Sequence, residues 1–247
     1  MRIFSIKVVV LPMIFAFVLV GTVNAQDSTY VLLRDFEEGW QDAWFQRLLG
    51  EKPTNYEVVL EDTNRVLMAS SEGTASSLWY PITIRPARRG TITWRWKIKK
   101  ALSKNTNERS KLGDDYAARV FVVFEPHILS WKTRALCYVW SANRPVGEQA
   151  TSPYAKTVKT IVLQSGNDNK GKWITEKRNF IADYIKAFGR KPEMVIAVAL
   201  MVDTDNSLQS ATAWFDDLML RVPMPASSNA QKTETPSPNS GKPDSLR

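Results

Sequence analysis

Apolar and polar residues alternate along much of this chain. The clearest stretch, Thr91–Ile98, places Trp94 and Trp96 on one face of a strand and Arg95 and Lys97 on the other. Two tryptophans on one face form either a sugar-stacking platform or the anchor of a hydrophobic core. A half-buried strand turns its apolar face inward, so the charges on the opposite face favour the core.

Many other short segments have the composition of strands. They are bounded by Gly, Pro, Asn and Asp, which predicts a mostly β protein, a single β-sandwich or jelly roll with one or two short helices. The stretch 40–49 is predicted to be a short amphipathic helix, and the spacing of apolar residues predicts another over 181–188, ended by Gly189. Eleven strands are predicted, over 30–33, 56–60, 65–69, 77–84, 91–98, 116–124, 136–141, 158–163, 173–178, 194–202 and 211–221.

Long blocks of the chain resemble a bacterial family, the domain of unknown function 3047. The resemblance covers nearly all of Asp35 to Leu220 and implies a fold and an envelope context, with no established activity. Its blocks are Leu112–Phe124, Cys137–Trp140, Trp173–Tyr184, Phe188–Gly189 and Ala199–Asn206.

The first and last strands are similar to those of carbohydrate-binding jelly-roll modules. The segments concerned are Leu33–Trp40 and Ala213–Leu220. In those modules the two strands lie together, and their acids often hold a structural calcium ion; Asp35, Glu37 and Asp216 are the matching oxygen donors here. The alternative is that these acids are turn residues or exposed charges. No other cofactor is expected.

The two ends of the chain differ from its middle. Residues 1–25 have a basic start, an apolar stretch and small residues before the expected cleavage after Ala25, which predicts a signal peptide. We therefore expect a periplasmic or secreted protein with no stable membrane insertion after cleavage. Residues 26–222 are predicted to form one sandwich domain, and 223–247 a disordered tail rich in Pro and Ser. Cys137 is the only cysteine, so no disulfide framework exists.

The protein is basic, with a formal net charge of +8. No acid occurs between Glu72 and Glu108, whereas eight Lys and Arg residues do. In an exported protein, such a field favours a glycan or an anionic envelope polymer as partner rather than nucleic acid. The alternative is a solvated surface.

Arg119 is the most informative polar residue, because it interrupts a strand that is otherwise apolar on both faces. A buried arginine needs a carboxylate partner or an anionic ligand. The candidate acids are Asp114, Asp115, Asp203 and Asp205. The cluster is therefore either a structural ion pair or a pocket in which Arg119 binds a carboxylated or hydroxylated ligand.

Three further residues complete the candidate ligand site. Tyr138 and Trp140 share a strand face and are either the stacking floor of the Arg119 pocket or part of the core. Arg178 precedes the predicted helix and is expected to form an ion pair there, with Asp183 as the nearest acid.

Catalytic signatures are scarce. His127 is the sole histidine, so a zinc site of two or more histidines is excluded. We favour a non-catalytic exported protein that binds a saccharide or another envelope polymer. The alternative is a glycoside hydrolase or lyase on the same scaffold.

Overall fold

The computed structural model describes residues 28–34, 36–37, 40, 43–86, 89–104, 107–124 and 133–223. Residues 28–34 and 223 are described by their backbone alone. The predicted signal peptide, nearly all of the predicted tail, Asp35 and His127 lie outside these ranges.

The described residues form thirteen strands, one α-helix and one turn of 3₁₀ helix at Lys111–Gly113. The helix α1 is Phe180–Phe188. The strands are β1 (Ser28–Arg34), β2 (Phe45–Leu48), β3 (Asn55–Glu61), β4 (Asn64–Glu72), β5 (Ala75–Ile84), β6 (Thr91–Ile98), β7 (Tyr116–Phe124), β8 (Arg134–Ser141), β9 (Gln149–Thr151), β10 (Val158–Ser165), β11 (Ile174–Arg178), β12 (Val195–Asp203) and β13 (Ser210–Pro223).

The strands form two sheets, which confirms the predicted β-sandwich. One has six strands, in the order β11-β6-β13-β4-β3, with β1 also paired to β13. The other has seven strands, in the order β2-β5-β12-β7-β8-β10-β9. The pairs are antiparallel except for β8 and β10, which run parallel.

The core lies between the sheets and contains both tryptophans of β6. Trp94 and Trp96 are fully buried and meet edge to face, with ring centroids 5.4 Å apart. Each also contacts the facing sheet, Trp94 through Tyr138 at 5.4 Å and Trp96 through Trp140 at 5.8 Å. The structure therefore supports the core interpretation of these tryptophans, because neither ring is open to a ligand.

The helix prediction for 181–188 is confirmed, and its ends explain its length. The Asn179 side chain caps the first turn by accepting a hydrogen bond from the Ala182 amide at 3.0 Å. Gly189 follows the last turn with φ of 71°, and its amide bonds to the Ile185 carbonyl at 2.8 Å. A left-handed residue at this position favours glycine.

The helix predicted over 40–49 is wrong where the structure describes that stretch. Phe45–Leu48 is the edge strand β2, paired antiparallel with β5. The amides of Leu49 and Gly50 continue this contact by donating to the Ala75 carbonyl. A four-residue exposed segment has no buried face of its own, so pairing with the free edge of β5 decides its conformation. The three-residue edge strand β9 was not predicted.

Candidate functional site

Arg119 lies in β7 on the outer face of the seven-stranded sheet, and it is only 6% exposed. Its guanidinium makes a bidentate pair with Asp203, in which Nε donates to Oδ1 at 2.7 Å and Nη2 donates to Oδ2. Nη2 also donates to the Asp114 carbonyl, and the guanidinium carbon lies 4.4 Å from the ring centre of Tyr116. The guanidinium is therefore held by protein groups, as the ion-pair interpretation requires.

The other predicted acids lie around this pair. Asp115 is fully buried and binds the connection between β12 and β13: its Oδ1 accepts from Asn206 Nδ2 at 2.9 Å and its Oδ2 from the Ser207 amide at 2.6 Å. Carboxylate oxygens of Asp115, Asp203 and Asp205 lie within 4.8 Å of one another. The structure thus brings Arg119 together with all four acids that the sequence singled out.

Burial has the largest influence on the pKa values of the charged groups in this cluster. Burial raises the pKa of Asp203 to about 7, although the Arg119 charge acts in the opposite direction. Burial also raises the pKa of Asp114, again against Arg119. Burial opposes the charged form of Arg119 itself, but Asp203 and Asp114 raise its pKa well above the ordinary value. The cluster therefore keeps the arginine charged and favours the protonated forms of Asp203 and Asp114.

The structure separates Tyr138 and Trp140 from Arg119. Arg119 pairs in register with Val139, so the residues on either side of Val139 point to the opposite face of the sheet. Both rings are fully buried between the sheets. The predicted pocket with Arg119 above an aromatic floor is therefore not formed, and these two residues take the core alternative.

Arg178 forms the ion pair expected at the start of α1. Its Nη2 donates to Asp183 Oδ1 at 2.6 Å and its Nε to Oδ2 at 3.0 Å. The Tyr138 hydroxyl donates to the same carboxylate at 2.9 Å. This group connects β8, β11 and α1 and is separate from the Arg119 cluster.

Two of the predicted calcium ligands can be located. Asp216 is buried, and its Oδ2 accepts from Asn64 Nδ2 at 2.6 Å and from Arg95. Glu37 is exposed, and its Oε1 accepts from the Arg65 amide at 3.0 Å. An ion at Asp216 would share the carboxylate with a guanidinium, which does not favour binding. Because Asp35 lies outside the described residues, the calcium site stays a prediction.

A row of aromatic residues crosses the outer face of the seven-stranded sheet, and the sequence did not reveal it. We call Phe45, Trp79 and Phe121 the aromatic row. Phe45 pairs in register with Trp79, Trp79 with Ala199, and Ala199 with Phe121, so the row runs perpendicular to the strands from β2 to β7. Trp79 and Phe121 are two strand spacings apart, about 10 Å.

The aromatic row is partly open to solvent. Phe45 is 50% exposed, and Trp79 and Phe121 are half-buried. The rings of Phe45 and Trp79 are inclined by only 25°, with centroids 6.4 Å apart, and the guanidinium carbon of Arg47 lies 5.6 Å from the Trp79 ring. Trp79 Nε1 donates to Ser77 Oγ at 2.6 Å, which fixes the indole. These rings, a guanidinium and a small residue between them make a surface suited to an amphipathic ligand.

The outer face of the six-stranded sheet also carries aromatic residues, but cations cover them. Lys97 Nζ lies 4.6 Å from the ring centre of Trp214 and 5.0 Å from that of Trp173, and the Arg95 guanidinium carbon lies 4.7 Å from Trp173. Lys97 is ion-paired with Glu61. These contacts stabilise the sheet and leave less ring surface for a ligand.

Together these features define a β-sandwich protein with a buried arginine and carboxylate cluster and an aromatic row on one outer face. The chain belongs to the family described as "Protein of unknown function (DUF3047)", whose family model matches residues 38–219. The resemblance drawn from the sequence blocks is thereby confirmed. No curated protein matches the chain.

Several solved structures are similar to the chain at low identity. One is the family 11 carbohydrate-binding module of the cellulosomal cellulase Lic26A-Cel5E of Clostridium thermocellum, with 10% identity and a TM-score of 0.42 over 78% of this chain and 94% of that one. A family 29 carbohydrate-binding module has 10% identity and a TM-score of 0.38 over 79% and 89%.

An enzyme domain has a similar score. The xyloglucanase domain of NopAA, a type three effector from Sinorhizobium fredii in complex with cellobiose, has 9% identity and a TM-score of 0.42 over 72% of this chain and 92% of that one. At these values the fold assignment rests on the two sheets described above.

No helix among the described residues has the length and apolar character needed to cross a membrane.

Proposed function

We propose that this protein is an exported, non-catalytic saccharide-binding protein, and that an extended glycan binds across the outer face of the seven-stranded sheet. The observation that carries the proposal is the aromatic row. Its direction across the strands suits a chain of several sugar units better than a single one, because Phe45 and Phe121 are separated by three strand spacings, about 14 Å.

The chemistry of the aromatic row supports a sugar ligand. A pyranose has apolar C–H faces that pack on aromatic rings and hydroxyl groups at its edge that need hydrogen-bond partners. Phe45 and Trp79 supply nearly parallel rings, and Arg47 supplies N–H donors beside them. Export, to the periplasm or beyond, is supported by the sequence of residues 1–25.

Removal of the central ring tests the proposal. Trp79→Ala should weaken glycan binding roughly tenfold, because an anchoring tryptophan typically contributes more than about 1 kcal/mol. The matched control is Trp173→Ala, which removes a half-buried indole from the other sheet. Binding is measured by affinity electrophoresis with mixed-linkage glucan, glucomannan, xylan and xyloglucan, and each mixture is assayed for released reducing ends.

The outcomes separate the two hypotheses. The proposal is supported if at least one polymer retards the wild type and the control but not Trp79→Ala, and if no reducing ends are released. Release of reducing ends would favour the polysaccharide-active enzyme instead. Binding at the aromatic row would be refuted if none of the four polymers retards the wild type, or if Trp79→Ala and Trp173→Ala are retarded equally.

A further inference from the structure

A cleft opens at the end of the sandwich where β7 begins and β12 ends. Its volume is about 380 Å³, and it is widely open to solvent. Leu112, which is 83% exposed, supplies an apolar surface. The remaining lining is almost entirely hydroxyl and amide side chains, those of Ser103, Asn107, Ser110, Ser207 and Gln209.

The walls of the cleft are held in place by the protein itself. The Ser103 amide donates to Gln209 Oε1 at 2.8 Å, which joins the two walls. Gly113 forms part of the lining, and a Cβ there would lie 2.4 Å from the Asn107 carbonyl oxygen, so only glycine fits. These contacts fix the described parts of the walls, which reduces the entropic cost of binding a ligand there.

The Arg119 cluster lies behind these walls and explains their rigidity. Arg119 binds the carbonyl of Asp114, the residue after Gly113, while Asp115 accepts from the amide of Ser207. The hydroxyl oxygen of Ser207 is itself buried and has no hydrogen-bond partner among the described residues. Because this oxygen has almost no accessible surface, a ligand in the cleft does not contact it.

We use the term rim for the exposed cations that are next to lining residues in sequence, although none of them belongs to the lining itself. Lys104, Arg109 and Lys111 are exposed and directly follow or precede lining residues. Arg109 is paired with Glu148, but Lys104 and Lys111 have no carboxylate partner in the part of the chain that the structure describes. Lys111 Nζ lies 5.7 Å from the ring centre of Tyr154, and neither lysine is neutralised by a carboxylate of the described residues.

The acids nearest the cleft in sequence are buried and engaged. Glu108 is 2% exposed and accepts hydrogen bonds from Ser141 Oγ and the Ala142 amide, each at 2.5 Å. The Asp114 carboxylate is also buried, with Oδ2 lying 3.7 Å from Arg119 Nη1. Of the acids two residues from the lining, Asp115 is buried but Asp205 is half-buried, so the lysines and Asp205 together set the field at the opening.

We propose that this cleft is a second saccharide site, which binds sugar units that carry a carboxylate or sulfate group. Serine, asparagine and glutamine side chains accept and donate hydrogen bonds to sugar hydroxyls, Leu112 packs on an apolar face, and Lys104 and Lys111 bind the acidic group. Lys104 belongs to the basic stretch between Glu72 and Glu108 that contains no acid, so the site gives part of that stretch a role. It is separate from the aromatic row and does not depend on it.

The test compares two pairs of lysines of equal charge. Lys104→Gln/Lys111→Gln removes the rim, and Lys177→Gln/Lys191→Gln removes two exposed lysines elsewhere. Affinity electrophoresis uses polygalacturonate, alginate and hyaluronate as carboxylated polymers, carrageenan as a sulfated one, and methyl-esterified polygalacturonate as the uncharged match. Circular dichroism verifies that each variant is folded.

The wild type should be retarded by at least one anionic polymer and not by the methyl ester. The rim variant should bind roughly tenfold more weakly, while the matched control Lys177→Gln/Lys191→Gln keeps wild-type binding. Retardation by carboxylated or by sulfated polymers alone identifies the acidic group. The proposal is overturned if no anionic polymer retards the wild type, or if both lysine pairs have equal effects, which would indicate diffuse basic charge.

Discussion

Replacing Arg119 with methionine removes the cation that is paired with Asp203 while keeping much of its volume. Asp203 then loses both N–H donors of the bidentate pair, and the Tyr116 amide, whose nitrogen lies 3.3 Å from Oδ1, is the donor that remains among the described residues. Breaking a buried ion pair in this way typically costs about 3–5 kcal/mol, because the remaining charge is uncompensated. We expect Arg119→Met to lower the free energy of unfolding at pH 8 by about that amount.

The cost should depend on pH in a defined direction. Burial already raises the pKa of Asp203 from 3.8 to about 7 with Arg119 present, and without Arg119 it must rise further. The folded state then holds a proton that the unfolded state releases, so its stability falls as pH rises from about 4 towards the folded-state pKa. Arg119→Met should therefore be less destabilising at pH 5 than at pH 8.

These free energies of unfolding are measured by urea denaturation at pH 5 and pH 8. The proteins compared are the wild type, Arg119→Met, Asp203→Asn and the double variant. At pH 8 the double variant should be more stable than the sum of the single effects predicts, since neither charge is left alone. A loss below about 1 kcal/mol for Arg119→Met at pH 8, or equal losses at the two pH values, would refute the description of the cluster as a charged, buried pair.

Other positions test the fold and the electrostatics. Trp94→Ala should lower the free energy of unfolding by about 3–5 kcal/mol in urea denaturation, because it leaves a cavity between the sheets, and a loss under about 2 kcal/mol would contradict its full burial. Asn179→Ala should cost about 1 kcal/mol by removing the cap of α1, and no change in denaturation midpoint would show that the cap is not formed. Asp114→Asn should weaken the decline of thermal stability as pH rises above about 4, because burial raises the pKa of Asp114 and the amide takes no proton; an unchanged decline would contradict this.

The sequence predicted strands well because alternation records which face is buried. The tryptophans of β6 could be assigned to the core from the charges on the opposite face alone. Phe45–Leu48 could not be assigned, since an exposed edge segment takes its conformation from a partner strand far away in the chain. The three-residue strand β9 is too short to carry a periodic signal.

The candidate site was predicted in part. An arginine in an apolar strand requires an acid, so the sequence restricted its partner to a few aspartates, and the structure selects Asp203. Tyr138 and Trp140 could not be assigned to the Arg119 pocket or to the core from the sequence, because it does not give the register between β7 and β8. The aromatic row was missed for the same reason, since three strands contribute one residue each and only the pairing aligns them.

The central claim is that a glycan binds across the aromatic row, and the tryptophan side chains report on it directly. The chain has nine tryptophans, so indole N–H signals in a nuclear magnetic resonance titration distinguish the two sheet faces from the core. The titrant is whichever of mixed-linkage glucan, glucomannan, xylan and xyloglucan retards the protein most, used as an oligosaccharide. We predict a saturable shift of the Trp79 signal, with the Trp173 and Trp214 signals unchanged. A shift confined to Trp173 and Trp214, or no shift of Trp79 at saturation, would contradict the proposal.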